Sequence, residues 1–113
     1  MASPTSNDLY SVRVCDESVF AVGQAGTFLS YDGISWASLD AGTTSNLYDV
    51  WCSSDSDVVI VGQDDTFLYY DGNSIEAVDF GTESSLRGVW GSTETTDIFA
   101  VGAGGAIIHG MNE

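Results

Sequence analysis

A twelve-residue stretch occurs three times in this chain and restricts what the chain can fold into. VGQAGTFLSYDG at residues 22–33 returns as VGQDDTFLYYDG at 61–72, 39 positions later, and again from Val101 as VGAGGAIIHGMN, 40 positions further on. Such regular spacing indicates one structural unit used three times. The 113 residues suffice for one domain, whereas a unit of about 40 residues is too small to fold alone. We divide the domain into an extension at 1–6 and repeats at 7–45, 46–84 and 85–113.

The second repeat shows most clearly what each unit contains. It has four short apolar stretches, LYDVWC, VVIV, TFLYY and SIEAVD, separated by turn residues, which is the pattern of strands. VVIV is apolar at every position, which predicts burial on both faces. Asp71-Gly72 suits a tight turn between strands. Because the third repeat ends after its third stretch, we predict eleven strands and no helices.

Four antiparallel strands per repeat, with a strand buried on both faces, are typical of one blade of a β-propeller. The run LYDVW…DVVIVG…TFLYYDG resembles the propeller repeats of Asp-box proteins and photosystem-assembly-factor-like proteins. The resemblance covers essentially the whole chain. It departs from the Asp-box pattern Ser-x-Asp-x-Gly-x-x-Trp, because Ser30, Asp32, Gly33 and Trp36 place the glycine one position early. We therefore predict an all-β chain of propeller blades; the alternative is a β-trefoil, which the missing twelfth strand disfavours.

Three blades are fewer than a closed propeller uses. Closed rings have about four to eight blades, so a three-blade chain leaves two apolar sheet faces that normally mark an interface. We predict a homo-oligomer, with a dimer of six blades as the first choice; other structural proteins are possible partners. Candidate interface residues are Trp90, Val101 and Ile107.

The charge balance excludes one class of partner. Twelve Asp and five Glu face only Arg13 and Arg87, with no lysine, and the net charge is −15. Nucleic-acid binding needs Lys and Arg contacts to phosphate, so we do not expect it. A salt-adapted protein and an ordinary acidic protein both fit this surface. No apolar run reaches the length of a membrane span and no signal peptide is visible; we expect a virion or other external surface, or otherwise the cytoplasm of a halophile.

Candidate catalytic groups are few. His109 lies four residues from the end of the sequence, and Cys15 and Cys52 are predicted to be free, partly buried thiols. Asp55 and Asp57 are a fragment of a calcium-loop pattern and the candidate metal ligands, although a role as solvated turn residues explains them better. The Asp-box resemblance suggests sialidases, which hold substrate with three arginines, whereas this chain has two. We predict no enzyme activity and no cofactor.

Aromatic residues recur at matched positions and suggest an alternative function. Propeller lectins place rings between blades to stack on sugars, and Trp36, Tyr31 and Tyr70 are the candidates here. We therefore keep three hypotheses: a structural and recognition module displayed on a virion or cell envelope, a glycan-binding lectin that recognises surface glycans, and an assembly factor that docks on a larger protein complex.

Overall fold

The structure is a computed structural model that describes residues 5–78, 85–91, 97–105 and 107–111. In these ranges the chain is all-β, with eleven strands and two short 3-10 turns at Gln24–Gly26 and Ala103–Gly105. The first four residues of the predicted extension and the end of the second repeat, residues 79–84, lie outside the described part. None of the helical segments in that part is long and apolar enough to cross a membrane.

Each sequence repeat forms its own antiparallel sheet, with its strands in chain order. The first sheet contains β1 (Leu9–Cys15), β2 (Ser18–Gly23), β3 (Thr27–Tyr31) and β4 (Trp36–Asp40). The second contains β5 (Leu47–Ser54), β6 (Asp57–Gly62), β7 (Thr66–Tyr70) and β8 (Ile75–Ala77). The third contains β9 (Leu86–Gly91), β10 (Asp97–Gly102) and β11 (Ile107–Met111).

The strand predictions are confirmed where the structure describes the chain. VVIV lies in β6 and is buried at all four positions, because the second sheet is covered on both faces. Gly72 follows β7 with φ of 94°, a conformation that favours glycine. The eleven described strands form three separate sheets and no closed barrel, so the β-trefoil alternative is wrong.

The three sheets pack in series through their first strands. β5 packs against β1 and β2, and β9 packs in the same way against β5 and β6. The junction between the first and second sheets buries an apolar core that includes Phe20, Val22, Phe28, Val50, Val58, Ile60 and Leu68. The junction between the second and third sheets buries another that includes Trp51, Val59, Val61, Phe67, Leu86, Val89, Ile98 and Ala100. The second sheet therefore contributes one face to each core.

A glycine at the end of each second strand lets the chain entering the sheet pass close by. A Cβ on Gly23, Gly62 or Gly102 would collide with the carbonyl oxygen of the residue before the first strand. The N–H group after each glycine donates a hydrogen bond of 2.9 Å to that same carbonyl. This contact, made three times, shows that the three sequence repeats are structural equivalents.

The two cysteines are bonded to each other, so the expectation of free thiols is wrong. Cys15 and Cys52 form a disulfide with their Cα atoms 6.0 Å apart, inside the usual range for such bonds. They lie on β1 and β5, which run side by side at the junction between the first two sheets. Sequence spacing does not reveal this, because it depends on how closely the two sheets approach.

Candidate functional site

The pairing of strands fixes which residues of the three sheets are equivalent. Opposite the second strand, Arg13 pairs with Phe20, Trp51 with Val59 and Trp90 with Phe99. Arg13, Trp51 and Trp90 therefore occupy one matched position, and neighbouring matched positions follow from the same ladders. A residue that is exposed while its equivalents are buried therefore lies where a neighbouring sheet is absent among the described residues.

The outer face of the third sheet exposes side chains whose equivalents are buried. Trp90 is 60% exposed, whereas Trp51 is 4% exposed because the third sheet covers it. Three further residues on this face, Phe99, Val101 and Ile107, are exposed as well. Their equivalents in the second sheet are all buried, namely Val59, Val61 and Phe67, and so are those in the first sheet, namely Phe20, Val22 and Phe28. We call Trp90, Phe99, Val101 and Ile107 the trailing face.

The opposite end of the series has a complementary exposed strip on β1. Val12 is 65% exposed, while its equivalents Val50 and Val89 are buried beneath the preceding sheet. Leu9 and Val14 are also exposed. We call Leu9, Val12 and Val14 the leading strip.

The leading strip is confined to the first strand. Ala21 and Leu29, on the middle strands of the same face, are buried within the single chain. In both described junctions, however, the first strand of the following sheet makes the main contact with the preceding sheet. The exposed strip is therefore the part of this face, along the first strand, that remains open in the single chain.

Each described junction also has one polar contact, and the two outer sheets each have one of its two partners at the corresponding position. The N–H of Ala25 donates to Asn46 Oδ1 at 2.9 Å, and the N–H of Asp64 donates to Ser85 Oγ at 3.3 Å. Both donors lie in turns after the second strand and have positive φ, as Gly104 does in the third sheet. The equivalent acceptor position before β1 is Asp8, so the two ends of the chain retain one half of this contact each.

Asp49 joins all three sheets and was not recognised from the sequence. Its Oδ1 accepts a hydrogen bond of 2.8 Å from Ser11 Oγ in the first sheet. Its Oδ2 accepts one of 2.9 Å from the N–H of Val89 in the third. Arg13 adds a bond of 3.0 Å from Nε to the carbonyl oxygen of Val50. These groups meet because β5 lies between β1 and β9, the first strands of the neighbouring sheets.

The candidate sugar-binding residues lie at two different places. Tyr31 and Trp36 pair directly across β3 and β4, with ring centroids 5.1 Å apart. Tyr70 instead packs edge-on against Phe20 and Phe28, at 5.9 and 5.4 Å. The ring of Tyr70 is thus part of the core between the first two sheets.

The candidate metal residues Asp55 and Asp57 lie in the loop between β5 and β6 and at the start of β6. Asp57 accepts a hydrogen bond from Ser53 Oγ. Burial first, and then the hydrogen bond and charge of Asp57, raise the pKa of the Tyr69 hydroxyl. The N–H of Asp55 donates to Asp16 Oδ2 at 3.4 Å. Among the described residues no three His, Cys, Asp or Glu side chains converge as a metal site.

The groups most able to act as nucleophile or base have structural contacts. The two cysteine sulfurs form the disulfide between β1 and β5. The imidazole of His109 stacks on Phe99, with centroids 4.6 Å apart and planes inclined by 11°. The apolar surface that stands out in the described residues is the trailing face together with the leading strip. No protein-family model matches the chain, and no curated protein matches it significantly.

Proposed function

We propose that this chain is a non-catalytic structural and recognition module, half of a six-bladed β-propeller that a second copy completes. One observation carries the proposal: residues of the trailing face and the leading strip are exposed at the ends of the series, while their equivalents are buried in the middle. Each end thus presents one half of an interface that already occurs twice within the chain. Apolar surface of this kind is unusual on a soluble monomer.

The second copy is the occupant that fits both ends. The trailing face is equivalent to the faces of the first and second sheets that a following sheet covers. The leading strip is equivalent to the parts of β5 and β9 that pack on those faces. Propellers close with about four to eight blades, so two three-bladed chains fit this range and three do not. Two chains joined trailing face to leading strip form a twofold ring in which both junctions are identical.

Polar groups at the two ends support the same arrangement. A turn N–H donates to the side chain that precedes the next sheet at both described junctions. In the proposed ring the N–H of Gly104 donates to Asp8 of the other copy. The contact adds direction to an otherwise apolar interface, since a donor and an acceptor must meet there.

The aromatic pair Tyr31 and Trp36 belongs to the same proposed junction. Tyr70, the equivalent of Tyr31, packs against Phe20 and Phe28 of the preceding sheet. The equivalents of those two phenylalanines on the trailing face are Phe99 and Ile107. We therefore assign Tyr31 to contact with the other copy, which leaves less aromatic surface for stacking on a sugar.

The proposed setting is an external surface, such as a virion or a cell envelope. The disulfide between Cys15 and Cys52 supports this, because such bonds persist mainly in oxidising surroundings. The net charge of −15 keeps assembled rings apart and soluble. Salt screens this repulsion over about 3 Å at 1 M, so the proposed ring is most stable in saline surroundings.

The proposal is tested by placing a charge on either half of the interface. We expect Trp90→Asp and Val12→Asp each to weaken dimer formation on the order of 100-fold or more, since a buried tryptophan at an interface centre contributes about 2 kcal/mol or more and the ring contains two junctions. Sedimentation equilibrium measures the dissociation constant. The control is Ile34→Asp, because Ile34 is exposed in a turn whose equivalent residue, Asn73, is also exposed.

Mixing the two variants distinguishes this ring from other dimers. A Val12→Asp chain retains its trailing face and a Trp90→Asp chain retains its leading strip, so an equimolar mixture regains one intact junction and forms a heterodimer. A dimer formed by two identical patches gains nothing from mixing. Dimers that survive both substitutions would contradict the proposal.

A further inference from the structure

A bulge recurs at the start of the first strand in every sheet. The pairing skips one residue between Leu9 and Ser11 in β1, and likewise in β5 and β9. The skipped residues are Tyr10, Tyr48 and Arg87. A bulge redirects the side chain of the extra residue, and its repetition gives these three side chains a common direction.

The redirected side chains touch one another across the junctions. The rings of Tyr10 and Tyr48 have centroids 5.6 Å apart, inclined by 51°. The guanidinium carbon of Arg87 lies 5.0 Å from the centroid of the Tyr48 ring, within the range of a cation–π contact. Tyr10, Tyr48 and Arg87 therefore form one continuous row, which we call the bulge row.

Both ends of the bulge row are open. Tyr10 is exposed at the first end, and Arg87 is exposed at the last. Arg87 makes no ion pair with any acidic side chain that the structure describes, and it is one of only two cationic side chains in a chain of net charge −15. The other, Arg13, bonds to the carbonyl of Val50.

We infer that Arg87 recognises Tyr10 of a second copy and lies between two tyrosine rings. This inference rests on the proposed function, because the closed ring is what brings the ends of two bulge rows together. At both described junctions the side chain at the bulge contacts its equivalent in the next sheet. After Arg87 the next equivalent is Tyr10 of the other copy, and twofold symmetry makes this contact twice.

The chemistry of the contact suits a strongly acidic chain. Two copies of net charge −15 repel each other, and an arginine facing tyrosine provides attraction at the junction without adding a carboxylate there. A cation over an aromatic face is attracted to the ring, and the attraction grows as water is excluded. Arginine is better suited than lysine, because its planar group can stack on rings on both sides.

A double-mutant cycle tests the inference. The dimer dissociation constant is measured by sedimentation equilibrium for wild type, Arg87→Met, Tyr10→Leu and the double variant. With two contacts in each dimer, we expect each single substitution to weaken the dimer roughly 5- to 50-fold. The double variant is expected to be little weaker than either single variant, because either change removes the shared contact. Arg87→Lys is expected to fall between wild type and Arg87→Met.

The outcomes separate this inference from the proposed function. If wild type dimerises and the two fold-changes in the dissociation constant multiply in the double variant, Arg87 does not recognise Tyr10. The proposed ring is not overturned by that result. If wild type remains monomeric, both are overturned. Thermal unfolding of the variants provides a fold control, since Arg87 and Tyr10 are exposed in the single chain and their replacement leaves both cores intact.

Discussion

Trp51 and Trp90 occupy the same position of neighbouring repeats, yet only Trp51 is covered by a following sheet. The ring of Trp51 lies over Gly91, where a Cβ would come within 2.7 Å of two ring carbons. The leading strip has Val14 at the position of Gly91. In the proposed ring Trp90 therefore meets a valine, and we expect it to adopt a different rotamer from Trp51.

Asp32 and Asp71 occupy equivalent turns of the first two repeats and accept equivalent hydrogen bonds. Asp32 Oδ1 accepts hydrogen bonds from the N–H groups two and three residues later, at 2.9 and 3.0 Å. Asp71 Oδ1 accepts the equivalent pair at 2.9 and 2.7 Å. These bonds stabilise the ionised form of the carboxyl and close the loop ahead of the fourth strand.

We expect Asp32 and Asp71 to titrate below the usual aspartate range. In both, the bond from the N–H three residues later is the larger cause of the lowered pKa, followed by the one two residues later. Because the pKa is lower in the folded state, the hydrogen bonds stabilise the fold fully at pH values above about 3.9, the pKa of an aspartate in the unfolded chain. This stabilisation is lost as the pH falls through the lower pKa of the folded state. Carboxyl carbon shifts measured by NMR against pH test this.

The two turn titrations have a matched control. Asp71→Asn retains an acceptor oxygen and removes the titrating group, which identifies the signal of that turn. Midpoints at or above the ordinary aspartate pKa of about 3.9 in both turns would contradict the description of these hydrogen bonds.

The number, order and burial of the strands could be predicted at the scale of elements. VVIV predicted a strand buried on both faces, and β6 is one, because the apolar pattern reports burial directly. The Cys15–Cys52 disulfide and the three-sheet contacts of Asp49 could not be predicted, because both depend on the distance between sheets. The repeat defines each unit, whereas the approach of one unit to another depends on packing. Trp90, Val101 and Ile107 were predicted as interface residues and are exposed, while their contact with a second copy stays a prediction.

The disulfide stabilises the junction between the first two sheets. With a sequence separation of 37 residues, a bond of this kind contributes about 4 kcal/mol by restricting the unfolded chain. We expect replacement of Cys15 and Cys52 together by serine to lower the free energy of unfolding by about this amount while the sheets still form. Urea unfolding at fixed protein concentration measures the change, with reduced wild type as the matched comparison. A double variant as stable as oxidised wild type would contradict this stabilisation.

At the scale of the whole molecule, both geometry and charge bear on assembly. Three sheets in series bury two cores and leave the trailing face and the leading strip exposed at the two ends. In the proposed ring a second copy covers both, and the net charge of −15 on each chain is expected to limit association beyond that ring. A saline medium weakens the repulsion between the two copies without weakening the apolar contacts.

The molecular mass of the chain in solution, measured by light scattering across a salt and concentration series, distinguishes the proposed ring from a single chain. We expect a particle of twice 11.9 kDa, with dissociation favoured at low salt. A folded particle of 11.9 kDa at every salt and protein concentration would contradict it, because the trailing face and leading strip would then persist in water without a partner.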